Sequence, residues 1–264
     1  MGLTRTLGRK VFQRLPAYNR ILYDFCERYV DRFNADNDSH PETNGEYTYL
    51  RETLVSLGQG TVFDVGANVG DWASWAISVN PGILLHCFEP AEATYAALAA
   101  KPWPAHVRLN RLGLGETEGT LELHVVEERS GMNSLYPRRG VEQATAVRTE
   151  SIPIGTIDSY AQAQGIGRID LLKIDVEGHE LAVFKGMKRM LAEGRVQRIQ
   201  FEYGGCNLDA KVHLADLWEF LEPYGLLMYK LFPEGLRPMG EYNQNMETFK
   251  YSNWVAILNR PQPR

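Results

Sequence analysis

The sequence has few cysteines, no long apolar run and no excess of basic residues. Its three cysteines (Cys26, Cys87 and Cys206) are odd in number and form no Cys-x-x-Cys pair, so we expect a reduced, cytoplasmic protein. No apolar run approaches the roughly 20 residues that a membrane-spanning helix requires. The net charge of −5 disfavours nucleic acid as the main partner, since such partners usually select a basic surface.

The chain is long enough for one α/β domain with an appendage, because 44% of its 264 residues are hydrophobic. Apolar residues spaced by three and four predict an amphipathic helix over 17–33. We therefore expect a helical extension and linker over 1–45 and the main domain over 46–264. The helix either covers a sheet edge or a partner in a homo-oligomer, or its basic leader touches an anionic membrane surface. The leader's basic residues are Arg5, Arg9, Lys10, Arg14 and Arg20.

The main domain alternates between strand-like and helix-like segments, which predicts a mainly parallel sheet with helices on both faces. The predicted strands are 61–65, 83–88, 106–111, 169–174, 197–203, 226–231 and 252–258, and the last, which follows no helix, is expected to be antiparallel. The predicted helices are 70–79, 91–100, 178–193 and 211–222. Residues 115–119 predict a hairpin turn, and 127–145 form a long polar loop of the kind that is often functional.

A glycine-containing turn follows the first predicted strand. Asp64 ends a buried run, and Gly66, Ala67, Asn68 and Gly70 lead directly into a helix. Ligands of open α/β sheets bind where strands end, and glycines allow close approach of the backbone. The spacing is Gly-x-x-x-Gly and not the Gly-x-Gly-x-x-Gly of dinucleotide sites, so no phosphate is indicated.

An acidic residue, Glu89, ends the second predicted strand. A carboxylate in this position suits hydrogen bonding to a ribose diol. A ligand with a ribose, a cationic amino group and no phosphate is S-adenosylmethionine. The turn and Glu89 together predict that this cofactor binds here.

Four segments resemble the FkbM family of S-adenosylmethionine-dependent methyltransferases. They are FDVGANVGDW (63–72), FEPAEATYAAL (88–98), LGLGETEGTLEL (112–123) and IDLLKIDVEGHELAVFKGM (169–187). The resemblance implies a class I, Rossmann-like fold with seven mainly parallel strands, the last one antiparallel. It also implies O-methyl transfer to a hydroxyl of a sugar, glycan, glycolipid or natural product, and it places Leu112 near the cofactor.

A second group of acidic residues follows the later strands. Asp175 and Glu177 flank one strand end and Glu202 ends the next, so we expect these three carboxylates to carry the chemistry. Methyl transfer to a hydroxyl needs a base to take its proton. Asp175 is alternatively a helix cap, and His179 is more typical of a surface or capping residue than of a base. Lys173 lies inside a strand and must pair if it is buried.

The acceptor and a metal are less well defined by the sequence. Asp175 and Glu202 resemble Mg²⁺ ligands, but no third ligand is evident, so Mg²⁺ is possible but not favoured. Asn133 and Ser134 are candidates to contact the acceptor or to cover the cofactor, unless they belong to an ordinary solvated loop, and Tyr203 is a further candidate substrate contact. The aromatic tail suits sugar rings, although core and edge packing is the commoner role of such residues; its candidates are Tyr203, Tyr242, Asn243, Asn245 and Trp254.

Two other functions stay open. A nicotinamide-dependent oxidoreductase has a similar sheet, but the glycine spacing is wrong and no Tyr-x-x-x-Lys pair is present. The second alternative is a non-catalytic S-adenosylmethionine-binding or scaffold protein. Such a protein has no need for four acidic residues along one edge of the sheet, which counts against this alternative.

Overall fold

The computed structural model describes residues 19–126, 130–138 and 147–259. The basic leader up to Arg14, the start of the predicted first helix and parts of the predicted 127–145 loop lie outside these residues. Within them, helices lie at α1 (Arg20–Asn34), α2 (Glu46–Leu57), α3 (Asp71–Val79), α4 (Glu92–Ala99), α5 (Ile157–Ala163), α6 (Glu180–Lys185), α7 (Lys188–Ala192), α8 (Gly205–Ala210) and α9 (Leu214–Leu221).

The strands form one large and one small sheet. They are β1 (Thr61–Val65), β2 (Leu84–Phe88), β3 (Val107–Asn110), β4 (Gly113–Leu114), β5 (Gly119–Val126), β6 (Val147–Gly155), β7 (Leu171–Ile174), β8 (Arg198–Tyr203), β9 (Leu226–Phe232), β10 (Gly235–Pro238) and β11 (Ser252–Leu258). The large sheet has the order β10-β9-β11-β8-β7-β1-β2-β3, and the small one has the order β4-β6-β5.

The large sheet confirms the predicted α/β class with a mainly parallel sheet and a helical N-terminus. Strands β2, β1, β7 and β8 pair in parallel, and β11 is antiparallel to both of its neighbours, as expected for the last strand. The number of strands was wrong, because the short β10 adds an eighth strand at one edge by pairing with β9.

The predicted hairpin around 115–119 was also wrong. Strands β4 and β5 do not pair with each other; both pair with β6, β4 in parallel and β5 antiparallel. The partner strand β6 lies beyond the long loop, so the pairing is long-range. This small sheet lies outside the single sheet that the sequence predicted.

The core lies on both faces of the large sheet because side chains alternate along a strand. In β1, Phe63 and Val65 belong to one buried cluster, whereas Val62 belongs to the other. The predicted helix over 178–193 is two helices that are separated at Gly186, where an added Cβ atom would lie 2.0 Å from the carbonyl oxygen of Gly115. Strands β1, β2, β7 and β8 all end at the same edge of the sheet, where the candidate site lies.

Candidate active site

The turn after β1 is fixed by backbone hydrogen bonds to the end of β2. The N–H groups of Gly66 and Ala67 both donate to the carbonyl oxygen of Phe88, at 3.0 and 2.9 Å. The N–H of Asn68 donates to Oε2 of Glu89 at 3.0 Å. The two predicted cofactor segments therefore hold each other in place.

The glycines of this turn are required by protein contacts. A Cβ atom on Gly66 would lie 1.8 Å from the carbonyl oxygen of Asp175, and the residue has a φ of +82°. A Cβ on Gly70 would lie 2.4 Å from the Leu98 side chain, so Gly70 packs into the core and lies outside the cavity described below. Ala67 is likewise buried in the core. The close contacts that these glycines allow are therefore contacts between their backbone and other protein atoms.

Glu89 presents an oriented carboxylate at the end of β2. Besides the bond from Asn68, its Oε1 accepts the N–H of Ala91 at 3.0 Å. Burial raises the pKa of Glu89 to about 7, against these two hydrogen bonds, which favour the charged form. The carboxylate is thus held in one orientation and titrates near neutral pH.

A first cavity of about 680 Å³ opens between these turns and the small sheet. Glu89, Asn68, Gly66, Leu112 and His179 line it. Much of the remaining wall is apolar: Val65, Phe88, Leu114, Leu123, Leu135, Ile152 and Ile154. The small sheet that the sequence analysis missed supplies four of these apolar side chains, from β4, β5 and β6.

A buried ion-pair cluster lies beside this cavity. The Lys173 ammonium lies 3.2 Å from Oδ2 of Asp175 and 3.7 Å from Oδ1 of Asp64. Burial alone lowers the pKa of Lys173, but the carboxylates of Asp175, Asp64, Glu46 and Glu202 raise it above its usual value. The predicted pairing of Lys173 is confirmed, and this cation balances part of the acidic cluster.

Asp64 lies behind the cavity and does not line it. Its side chain is fully buried, and neither oxygen has a hydrogen-bond partner among the described residues. Burial raises its pKa to about 6, although the nearby Lys173 ammonium opposes the shift. Asp64 therefore acts on the site through Lys173.

The turn after β7 is held from below by Glu180. This fully buried carboxylate accepts the N–H groups of Val176 and Gly178, at 3.3 and 3.2 Å, and the amide of Asn207 at 3.1 Å. Glu177 has a φ of +54°, a left-handed conformation that is costly for a residue with a side chain. The strained turn points to a functional constraint at this corner.

Glu177 pairs with Arg138 at 2.5 Å in a partly buried ion pair. Burial and the charge of Asp175 raise the pKa of Glu177 to about 7, although Arg138 opposes the shift. His179 has its pKa lowered to about 4 by burial, and its Nδ1 lies 3.1 Å from the hydroxyl of Tyr136. Near neutral pH, Glu177 can exchange a proton and His179 is neutral.

A second cavity of about 1020 Å³ adjoins the first. Asp175, Glu177 and Gly131 line both cavities. The rest of its lining consists of Ser39, Met132, Arg138, Glu202, Tyr203, Gly204, Gly205, Cys206 and Tyr251. All three predicted catalytic carboxylates therefore face this cavity, and two of them stand where the cavities meet.

Glu202 receives a hydrogen bond from the Tyr251 hydroxyl at 2.8 Å. Burial and the charge of Asp175 raise its pKa well above the usual value. Behind it, the buried Glu46 of α2 accepts the amide of Gln200 at 2.8 Å.

The structure separates the predicted substrate residues. Asn133 lines the first cavity, where its Oδ1 accepts the N–H of Val126. Ser134 is buried outside both linings, because its hydroxyl donates to the Glu177 carbonyl oxygen at 2.8 Å. Tyr203 lines the second cavity, but its hydroxyl is engaged by Glu247 at 2.5 Å.

Four candidates of the aromatic tail, Tyr242, Asn243, Asn245 and Trp254, are absent from the linings of the two cavities. Trp254 is buried in the core, and the Tyr242 hydroxyl donates to Glu247. Tyr251 lines the second cavity instead. Sequence reasoning also missed Arg138 and Ser39, since neither lies in a periodic segment. The sequence did offer one sign of how the turn after β7 is held, namely the acidic residue Glu180 at the start of the helix that follows this turn.

No described set of three or more His, Cys, Asp or Glu side chains is arranged to hold a metal ion. Asp175 and Glu202 do line the same cavity, so the possible Mg²⁺ site stays a hypothesis. In the described part of the chain, no helix combines the length and apolar character needed to cross a membrane.

Comparisons with known proteins fit this geometry. The model of the FkbM methyltransferase domain matches residues 64–227, more than half of the chain, and the chain therefore belongs to this methyltransferase family. The match begins at Asp64 and includes the ends of β1, β2, β7 and β8, where the two cavities lie. The resemblance noted from the sequence is confirmed.

Individual relatives are more distant. The 31-O-demethyl-FK506 methyltransferase FkbM of Streptomyces tacrolimicus is 28% identical in an alignment 167 residues long, which covers 53% of this chain and 64% of that protein. The 2-O-methyltransferase NoeI of Sinorhizobium fredii is 25% identical over 196 residues, 70% of this chain and 79% of that protein. The chain thus spans less than two thirds of the length of the first of these relatives.

Among solved structures, methyltransferase FkbM of Methylobacillus flagellatus KT superimposes with a TM-score of 0.48 at 14% identity. The match covers 75% of this chain and 44% of that one.

Proposed function

We propose that the protein is an S-adenosylmethionine-dependent O-methyltransferase. The observation that carries the proposal is that two cavities meet at Asp175 and Glu177. A group-transfer enzyme needs a site for each of its two reactants and a shared wall where the reacting atoms meet. The family membership supports methyl transfer as the reaction.

The first cavity fits the cofactor in its chemistry. Its apolar walls suit a purine ring, and the oriented Glu89 carboxylate suits a ribose diol. The acidic groups at the junction, Asp175 and Glu177, suit a ligand that carries positive charge. We therefore assign Gly66, Asn68, Glu89 and Leu112 to the cofactor, with Asp64, Ala67 and Gly70 supporting the turn from behind.

When bound, S-adenosylmethionine supplies a methyl group that is attached to a positively charged sulfonium. After the transfer, the sulfur remains in the product as a neutral thioether. The chain's own residues have to orient the acceptor hydroxyl and remove its proton. We assign this work to Asp175, Glu177 and Glu202. Glu177, whose pKa is about 7, is suited to taking a proton near neutral pH, and Arg138 beside it stabilises its charged form.

The acceptor belongs in the second cavity. Its wall carries hydroxyl, guanidinium and carboxylate groups from Ser39, Arg138 and Glu202, together with the aromatic rings of Tyr203 and Tyr251. Such a lining suits a polyhydroxylated molecule. We propose a hydroxyl of a sugar, glycan, glycolipid or natural product as the acceptor; the names of two relatives support only that the methyl group is transferred to an oxygen atom. The protein's three cysteines are free thiols, which is in keeping with the proposed cytoplasmic location.

The test is calorimetry with S-adenosylmethionine, S-adenosylhomocysteine and NADH, followed by transfer of a labelled methyl group to a panel of hydroxylated acceptors. We expect both sulfur ligands to bind, NADH to bind weakly or not at all, and label to appear in an acceptor. Tight NADH binding without binding of the sulfur ligands would favour the oxidoreductase alternative. Binding without transfer to any acceptor would favour a non-catalytic role. Transfer assays with a chelator, with and without added Mg²⁺, test the metal hypothesis.

A further inference from the structure

Helix α1 turns its apolar side to the solvent. Ile21, Phe25, Tyr29 and Phe33 are between 64% and 84% exposed, and none of the fifteen residues of this helix is buried. An amphipathic surface helix ordinarily does the opposite and packs its apolar stripe against the core. An exposed apolar stripe of this kind is typical of a surface that binds another protein or a membrane.

The orientation of α1 is fixed by polar contacts with the body of the protein. Asp31 pairs with Lys250 at 2.5 Å, and the buried Asp36 just after the helix pairs with the buried Lys230 of β9 at 2.5 Å. Turning the apolar side inward would break the contact between Asp31 and Lys250. The outward orientation of the apolar side is therefore built into the fold.

The charge of the N-terminal segment favours an anionic partner. Five basic residues precede the first acidic residue, Asp24, which leaves the rest of the chain with 23 basic and 33 acidic residues. Arg28 and Arg32, one turn apart, add two exposed basic side chains on the helix itself. A basic segment on an otherwise acidic protein directs this end towards negative charge.

The size of the face argues against a second copy of the chain as the partner. A helix of 15 residues is roughly 22 Å long and 10 Å wide, a footprint far below the ~800 Å² per partner of a stable interface. An apolar strip bordered by arginines, with tyrosines along it, is instead typical of helices that lie in a lipid interface.

We propose that α1 lies in the interface of an anionic lipid membrane, with Phe25, Tyr29 and Phe33 at the acyl boundary. Ser39, five residues beyond the end of the helix, lines the second cavity, and the N–H of Asn37 bonds the carbonyl oxygen of Tyr251 in the same wall. The membrane helix is therefore connected directly to the wall of that cavity. The proposal does not depend on the reaction that the site performs.

The test is flotation of the full chain with vesicles of phosphatidylcholine mixed with phosphatidylglycerol, and with vesicles of phosphatidylcholine alone. We expect binding to the mixed vesicles at low salt, release at high salt and little binding to the neutral ones. The double variant Phe25→Glu with Phe33→Glu should bind at least about tenfold less, because it charges the inserted face.

Val55→Glu is the matched control, since Val55 is 67% exposed on α2 and should retain binding when charged. Circular dichroism and light scattering check that all variants are folded and report their oligomeric state. Equal binding of the double variant and the native chain would overturn the proposal. So would an absence of vesicle binding together with a dimer that the double variant converts to monomers, which would identify a second copy as the partner.

Discussion

Glu89 is fixed because each of its carboxylate oxygens accepts one backbone N–H, from Asn68 and from Ala91. Rotation of the carboxylate would break both bonds and leave buried donors unpaired, which is costly. The side chain also lines the first cavity. We propose that this fixed carboxylate accepts hydrogen bonds from the two ribose hydroxyl groups of the cofactor.

Glu89→Gln should weaken S-adenosylmethionine binding roughly 10- to 100-fold, the usual effect of losing hydrogen bonds to a charged group. Since the pKa of Glu89 is about 7, the native affinity should also fall as the pH drops below 7 and the carboxylate is protonated. Calorimetry at pH 6 and pH 8 measures both effects.

Glu52→Gln, an exposed change on α2, is the control and should leave affinity and its pH dependence unaltered. In Glu89→Gln the loss of affinity below pH 7 should be smaller than in the native protein. An unchanged dissociation constant would remove Glu89 from the cofactor site.

Asp175→Asn should retain cofactor binding and lower turnover about 100-fold or more, the typical cost of losing an acid–base group. The amide still offers an oxygen to Lys173, so the fold should survive. Asp71→Asn, a change at an exposed ion pair, should have little effect on turnover, and His179→Ala should cost much less than Asp175→Asn. Transfer of labelled methyl groups to the best acceptor of the panel gives these rates.

Near-normal turnover in Asp175→Asn would restrict Asp175 to holding Lys173 in place and capping the turn. Glu177 and Glu202 would then be the next candidates, and their glutamine variants can be measured in the same assay.

At the level of secondary structure, the sequence predicts those strands and helices that are defined by a local pattern of apolar residues and turns. All seven predicted strands are present, most of them because they are short buried runs that end in a turn; β3 is only partly buried. Strand β6 was missed because its polar first half shows no buried face and its partner, β5, lies across the long loop. Arg138 and Tyr251 were missed for the same reason, since only the tertiary fold brings them beside Glu177 and Glu202.

The turn after β1 and the turn after β7 form one unit. The missing side chain of Gly66 leaves room for the Asp175 carbonyl oxygen, and the N–H of Asp175 donates to Val65 at 2.9 Å. The two turns, which we propose to bind the cofactor and to carry the chemistry, therefore cannot move apart without breaking this contact. The glycine motif that suggested a ligand site in the sequence also supports the turn that carries Asp175 and Glu177.

Gly66→Ala should lower the free energy of unfolding by about 3 kcal/mol or more, since it adds both a clash at 1.8 Å and an unfavourable positive φ. Urea unfolding measures the change. Gly167→Ala is the matched control, because a Cβ there meets nothing within 4 Å, and its effect should be below about 1 kcal/mol. Equal stability of the two variants would show that the two turns are not in close contact in solution.

For the whole molecule, the acidic groups around the site make stability depend on pH in an unusual direction. Burial raises the pKa of Glu89, Glu177 and Glu180 to about 7. Between pH 4.5 and 7 the folded protein therefore binds more protons than the unfolded chain. Stability is then highest below the ordinary glutamate pKa and is lost as the pH rises through 7.

Two buried histidines oppose this trend at lower pH. The pKa values of His86 and His179 are lowered to about 4, so their contribution to stability is lost as the pH falls below 6.5. The carboxylate effect is therefore best seen between pH 6.5 and pH 8.5, where the two histidines oppose it by only about 0.4 kcal/mol each.

Over that interval each of the three glutamates should cost about 0.8 kcal/mol and the two histidines should return about 0.8 kcal/mol in total, so the free energy of unfolding should fall by about 2 kcal/mol and Tm by about 3 °C. Urea and thermal unfolding of the ligand-free protein at both pH values check this. Glu180→Gln removes one of the three groups and should reduce the difference by about 0.8 kcal/mol, whereas the exposed Glu52→Gln should leave it unchanged. Equal or greater stability at pH 8.5 would mean that these carboxylates are ionised at little cost, and Glu177 would then lose its suitability as a base near neutral pH.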